Sequence, residues 1–180
     1  MLRFRDFIAE STYKAQSGES EILHHLTPHK FDQFKPMSHF GTAQASRSLM
    51  KFRMDDDNVK GKAIIHHAVR LKLGNVRHME DDQTNSGHRP DVVNDMLYQN
   101  KIISRKQYEA NKKKGRSLTN YDLARTLKSN NIQTIAYKNE FEDPGSTSYI
   151  ITDPKQVRRL QLNLNTKINF DRYKEFSDFD

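Results

Sequence analysis

The chain has no cysteine and no tryptophan, and only seven glycines and five prolines among its 180 residues. Lack of cysteine removes disulfides, thiolate nucleophiles and cysteine-held metals together, a composition that fits a reducing compartment. The glycines are scattered and no two stand two apart, so the G-x-G turn of a doubly wound dinucleotide fold is excluded. Gly61-Lys62 is followed by Ala63 and has no upstream glycine, which excludes a P-loop. H-E-x-x-H and G-x-S-x-G strings are missing as well. No apolar run approaches the ~20 residues needed to cross a membrane.

What the chain has is charge. Lys and Arg number 30 against 23 Asp and Glu, a net charge of +7, while hydrophobic residues make up 34%. The core is therefore modest, and the surface favours acidic partners such as nucleic acid or an acidic protein face. The acidic run at residues 55–57 resembles the start of a calcium loop. It has no Glu at the twelfth position from any of its aspartates, so it reads as a solvated loop. His66 and His67 are neighbours on an expected strand and point to opposite faces, so they cannot chelate one ion together. No metal site is expected.

The pattern alternates along the chain. Residues 21–25 form a short strand candidate, and FDQFKP is a turn-rich link. Thr42 is placed to cap a helix over residues 43–52. Val69, Leu71 and Leu73 alternate with Arg70 and Lys72, the period of a half-buried strand. Pro90 suits the first turn of a helix through Asn100. Ser104 with Gln107 forms a capping-box pattern for a second helix, and residues 120–129 fit a third. Strands are expected at 133–137, 148–152 and 157–164. Strands around a central helical insert argue for an α+β fold.

The stretch YKNEFEDPGSTSYIITDPKQ, residues 137–156, carries the most information. It joins two apolar strand runs through an acidic Pro-Gly loop that presents Glu140, Glu142 and Ser148. The second run ends in Asp153-Pro154, with Gln156 three residues after the Asp. Upstream, His25 and Thr27 stand two apart on an extended segment and share a side, so they can hold a ribose or an amide together. Phe40, in SHFGT, is an aromatic that can stack on a planar ring. A carboxylate near the junction can stabilise a cationic sugar transition state.

Taken in order, these segments resemble the ADP-ribosyltransferase-like superfamily, in its compact phage and polyvalent-protein form, from Leu23 to Leu162. LHHLTPHKFDQFKP resembles its H-G-T element, with His25 and Thr27 matching and Leu26 replacing Gly. SHFGT resembles G-x-G-x-Y-F-T, with Phe40 nearest the stacking Tyr. IIHHAVRLKLGNVRHMEDD is similar to the strand before an N-P-L-R-x-x-D turn, with Val76 where Pro is common. IQTIAYKNEFEDPGSTSYIITDPKQVRRL is similar to the closing strands.

The resemblance implies a split β-sheet fold with NAD, as substrate, held in a cleft between its halves. It also implies transfer of ADP-ribose to a host protein or nucleic acid with loss of nicotinamide. His25 and Thr27 would anchor the ribose, Phe40 would stack on the nicotinamide, and Ser148 and Tyr149 would line the cleft. Glu140 or Glu142 would supply the carboxylate. In the polymerase branch a Glu stands directly before Tyr-Ile in the closing strand, and here that position is Ser148. A non-enzymatic protein of the same fold, blocking a host factor or binding packaged DNA through residues 112–116 and 158–159, is the alternative.

The first ten residues, MLRFRDFIAE, resemble the capsid-targeting peptide of internal head proteins in T-even-type tailed phages. Ile8-Ala9-Glu10 fits the site of the prohead protease, with cleavage after Glu10. That resemblance implies a place inside the virion capsid and then in the host cytoplasm. The expected organisation is a targeting peptide at 1–10, a linker at 11–20, the transferase-like domain at 21–165 and an acidic, aromatic tail at 166–180. The tail either docks on the body or binds a partner.

Overall fold

A computed structural model describes residues 18–54, 62, 64–80, 89–140 and 142–160, with the backbone alone at 52–54. The targeting peptide, most of the linker, the acidic loop at 55–57 and the tail lie outside the described residues, as do 161–164 of the last expected strand.

In chain order the elements are β1 (Leu23–Thr27), β2 (His39–Phe40), α1 (Ala43–Met54), β3 (Ile65–Leu71), β4 (Val76–Met79), α2 (Pro90–Gln99), α3 (Arg105–Lys112), α4 (Asn120–Ser129), β5 (Thr134–Lys138), β6 (Thr147–Ile151) and β7 (Val157–Arg159). The fold is α+β. Its described strands form two sheets, a three-stranded one ordered β1-β3-β7 and a four-stranded one ordered β2-β6-β5-β4. All pairings are antiparallel except β4 with β5.

Side-chain alternation along these strands sorts the apolar residues into separate layers. Leu23, Val69 and Leu71 from the first sheet meet Phe40 and Ile151 from the second, with Phe34 between them. The other face of the second sheet carries Ile135 and Ile150 onto Val93, Leu97, Leu123 and Leu127 of the helices. On the outer face of the first sheet, Leu26 packs with Ile64 and with Met50 of α1. The order through the molecule is thus α1, first sheet, second sheet, and the layer of α2–α4.

Local chemistry sets the helix starts. Thr42 Oγ1 accepts from Ala45 N at 3.1 Å and opens α1. Pro90 occupies the first turn of α2, where its missing N–H has no intrahelical partner to lose. Ser104 with Gln107, and Thr119 with Asp122, form reciprocal capping boxes on α3 and α4. Asp153 and Gln156 form a third box on a single short turn. Gln156 does more than cap. Its Nε2 donates at 2.9 Å to both the Lys72 carbonyl and Thr134 Oγ1, so one buried amide ties the end of β3 to β5.

The end of the expected linker belongs to the folded body. Ser20 is buried; its N–H donates to the Leu71 carbonyl and its Oγ accepts from the Leu71 N–H, both at 2.9 Å. Glu19 pairs with Arg158 at 2.8 Å.

Candidate functional site

β1 alternates, and the register places His25 opposite His67 and Leu26 opposite His66 on β3. Each histidine of the His24-His25 pair therefore meets one of the His66-His67 pair, on opposite faces of the sheet. On the α1 side, His24 Nδ1 lies 2.7 Å from His66 Nε2 with the rings stacked at 4.9 Å. Two neutral rings satisfy that contact, one donating and one accepting. Burial first, then the neighbouring His66 and Arg47, lowers the His24 pKa to about 4. Burial and Arg47 lower that of His66 as well.

The inter-sheet side holds His25 and His67 in a ring of aromatics. The His25 ring lies 5.3 Å from Phe34, 5.6 Å from Phe40 and 6.1 Å from Phe31. His67 stands 4.9 Å from Phe31, and its buried Nε2 has no hydrogen-bond partner among the described residues. Burial, then Arg159, His25 and His66, push the His67 pKa down to about 4. The Arg159 guanidinium lies over Phe31 and Phe34 at 5.2 and 5.1 Å, a cation–π arrangement at the margin of the cluster.

A chain of contacts joins the sheets here. His24 and Gly41 exchange backbone hydrogen bonds at 2.8 and 3.2 Å. His25 Nδ1 donates to the His39 carbonyl at 2.8 Å. A carbonyl only accepts, so His25 Nδ1 carries a proton. His39 Nδ1 lies 3.1 Å from the Tyr137 hydroxyl. Thr42 Oγ1 donates to the Asp143 carboxylate at 2.5 Å, holding the acidic loop against the start of α1.

Ser148 lies beneath this contact chain. It is 4% exposed, and its Oγ accepts from Asn139 Nδ2 at 2.8 Å. Asn139 also donates to Ser146 Oγ at 2.8 Å, so one buried amide closes the loop between β5 and β6. Gly41 approaches from β2 so closely that an added Cβ would sit 2.6 Å from Ser148 Oγ.

The expected site residues divide. His25 and Thr27 share the inter-sheet face of β1, and Tyr149 stands opposite Phe40 across β2 and β6. Thr27 is buried, and its Oγ1 accepts from His29 N at 3.1 Å. Phe40 is 1% exposed, with its ring 4.9 Å from Phe34, so no face is open to a planar ligand. Phe40 packs instead with Leu23, Phe34, Val69, Leu71 and Ile151 between the sheets. Tyr149 beside it is half-buried; burial, then the Glu21 carboxylate, raises its hydroxyl pKa. Glu140 is exposed and Glu142 half-buried, in the loop that Asn139 and Asp143 hold.

No family model, curated protein or solved structure matches this chain.

His39, Tyr137, His67, Phe31 and Phe34 are not among the site residues expected from sequence, and Arg159, expected as a phosphate contact, lies over Phe31 and Phe34 instead. The doubled histidines at 24–25 and 66–67 were the available signal, although only the register of β1 on β3 brings them together on both faces. No group of three or more His, Asp or Glu among the described residues can hold a metal ion. A separate groove of about 450 Å³, lined by Lys72, Lys128, Lys155 and Asp153 among others, includes none of the expected site residues.

Proposed function

We propose that the chain binds NAD at the junction of its two sheets and transfers ADP-ribose to a host macromolecule, in the manner of the ADP-ribosyltransferase-like superfamily. The carrying observation is the convergence of three distant segments: His25 on the His39 carbonyl, Gly41 on Ser148, and Thr42 on Asp143. The His25 ring, held by the His39 carbonyl, offers a polar edge to a ribose hydroxyl. The unpartnered Nε2 of His67 adds a second polar atom on the same face. Tyr149, rather than the covered Phe40, provides the ring against which a nicotinamide lies.

In the transfer the bond from C1′ of the ribose to nicotinamide breaks, and its electron pair leaves with the nicotinamide. An acceptor hydroxyl or nitrogen attacks C1′ and gives up its proton. Glu142, half-buried in the loop after β5, would supply the carboxylate that offsets the developing charge, with Glu140 orienting the acceptor. Loss of such an electrostatic group costs roughly 2.7–4 kcal/mol in the barrier. The N-terminal peptide routes the protein into the phage head before delivery to the host.

One observation favours a second reading. Ser148 replaces the expected Glu, and it is buried and tied to Asn139 rather than open to a ligand. A protein so built keeps the fold as a binding module against a host factor. Incubation of the chain with labelled NAD and host lysate separates the two. Label on a protein or nucleic-acid fraction, lost in Glu142→Gln, supports transfer; no label on any fraction supports the binding module.

A further inference from the structure

The helical layer holds most of the net charge. Between residues 89 and 129 there are ten Lys and Arg against four Asp and Glu, a net +6 of the chain's +7. All ten cations are exposed. Arg89 pairs with Asp91, Lys114 and Arg125 with Asp122, and Lys128 with Asp153. Lys101, Arg105, Lys106, Lys112, Lys113 and Arg116 have no carboxylate partner among the described residues.

Three of these cations lie on α3, and a fourth, Lys113, is its C-cap residue in the same helical conformation. Arg105 with Lys112, and Lys106 with Lys113, stand seven residues apart, which sets each pair on one line about 10.5 Å long. The two lines run along the exposed side of the helix, with Glu109 as the single carboxylate between them. Beside the first line lies an aromatic step. Tyr98 and Tyr108 stack at 4.5 Å with their planes 15° apart, and Lys112 donates to the Tyr108 hydroxyl at 3.2 Å. Tyr98 is 37% exposed and belongs to no core cluster.

We propose that the exposed side of α3, with Tyr98, binds single-stranded nucleic acid. The two cation lines follow the phosphates of an extended strand, and a base continues the tyrosine stack on the outer face of Tyr98. A duplex supplies phosphates but keeps its bases covered, so the tyrosine would add nothing to its binding. The surface lies apart from the NAD junction in sequence and in layer, so this assignment stands whether or not that one does.

Fluorescence anisotropy of the full chain with a labelled oligothymidine strand and a length-matched duplex, across a salt series, tests the assignment. The strand is expected to bind tighter than the duplex, with affinity falling linearly in log salt. Tyr98→Ala weakens strand binding roughly tenfold, whereas Tyr98→Phe retains it. Lys106→Glu with Lys113→Glu weakens it and lowers the salt slope by roughly 0.7 for each phosphate that is no longer neutralised. Equal affinity for duplex and strand, an unchanged affinity in Tyr98→Ala, or no binding by the wild type overturns the assignment.

Discussion

His24 Nδ1 lies 2.7 Å from His66 Nε2 across the paired strands β1 and β3. The contact needs at least one neutral ring to accept, and burial favours the neutral form by lowering the His24 pKa from 6.5 to about 4. His67, on the other face of the same sheet, is lowered to about 4 as well.

Acid sensitivity follows. A ring with a depressed folded pKa binds fewer protons than the unfolded chain between pH 6.5 and 4. Stability is therefore full above pH 6.5 and is lost as pH falls toward 4. The slope approaches about 1.4 kcal/mol per pH unit for each such histidine at its steepest, less for the partly solvated His67. Urea unfolding midpoints measured from pH 8 to 4 should be flat above 7 and fall below 6.5. His24→Asn should shallow that fall while leaving the part due to His67. A midpoint that rises on acidification contradicts this account of the histidines.

Gly41 and Ser148 meet too closely for any larger residue at 41. Gly41→Ala puts a methyl 2.6 Å from Ser148 Oγ and 3.2 Å from Ala45 Cβ. The hydroxyl must swing away from Asn139, so a loss of about 1–3 kcal/mol is expected. Chemical denaturation of Gly41→Ala beside the double variant with Ser148→Ala measures it. The double variant should recover part of the loss, because the clashing oxygen is gone.

Gln156 concentrates three functions in one side chain. Its Oε1 caps Asp153 N at 3.0 Å, and its Nε2 bridges the Lys72 carbonyl and Thr134 Oγ1. Gln156→Ala leaves the buried Thr134 Oγ1 without this donor and opens the seam between the sheets. Destabilisation of roughly 2–3 kcal/mol is expected, against about 1 kcal/mol for Thr119→Ala, which removes only a cap from α4. Equal losses in the two variants would show that Gln156 acts as a cap alone.

The elements that sequence reveals well are those with local chemistry. The helix at 120–129 appears as read, the capping box at Ser104 is present, and strands expected at 133–137 and 148–152 are displaced by one residue. Alternation at Val69 and Leu71 marks β3, although the strand begins at Ile65 and ends before Leu73. β4 carries little local signal, because VRHM is four residues long with two charged or polar positions, and its parallel pairing with β5 makes it a strand. Site residues were legible where a motif carried them and not where register did. His25 and Thr27 share a face as two-residue spacing requires. The meeting of His24 with His66 and of His25 with His67 depends on which residues pair across β1 and β3, which neither segment encodes alone. Phe40 shows the limit of a motif: an aromatic can stack on a ligand, yet packing against Phe34 and His25 between the sheets leaves this ring covered.

NAD binding at the sheet junction is the central claim, and thermal unfolding of the full chain with and without NAD tests it most directly. Wild type at saturating NAD should unfold at a higher temperature, by an amount that grows with NAD concentration. His25→Ala should keep its own fold and lose that response. A wild-type Tm unmoved by NAD, or an equal rise in His25→Ala, contradicts the account.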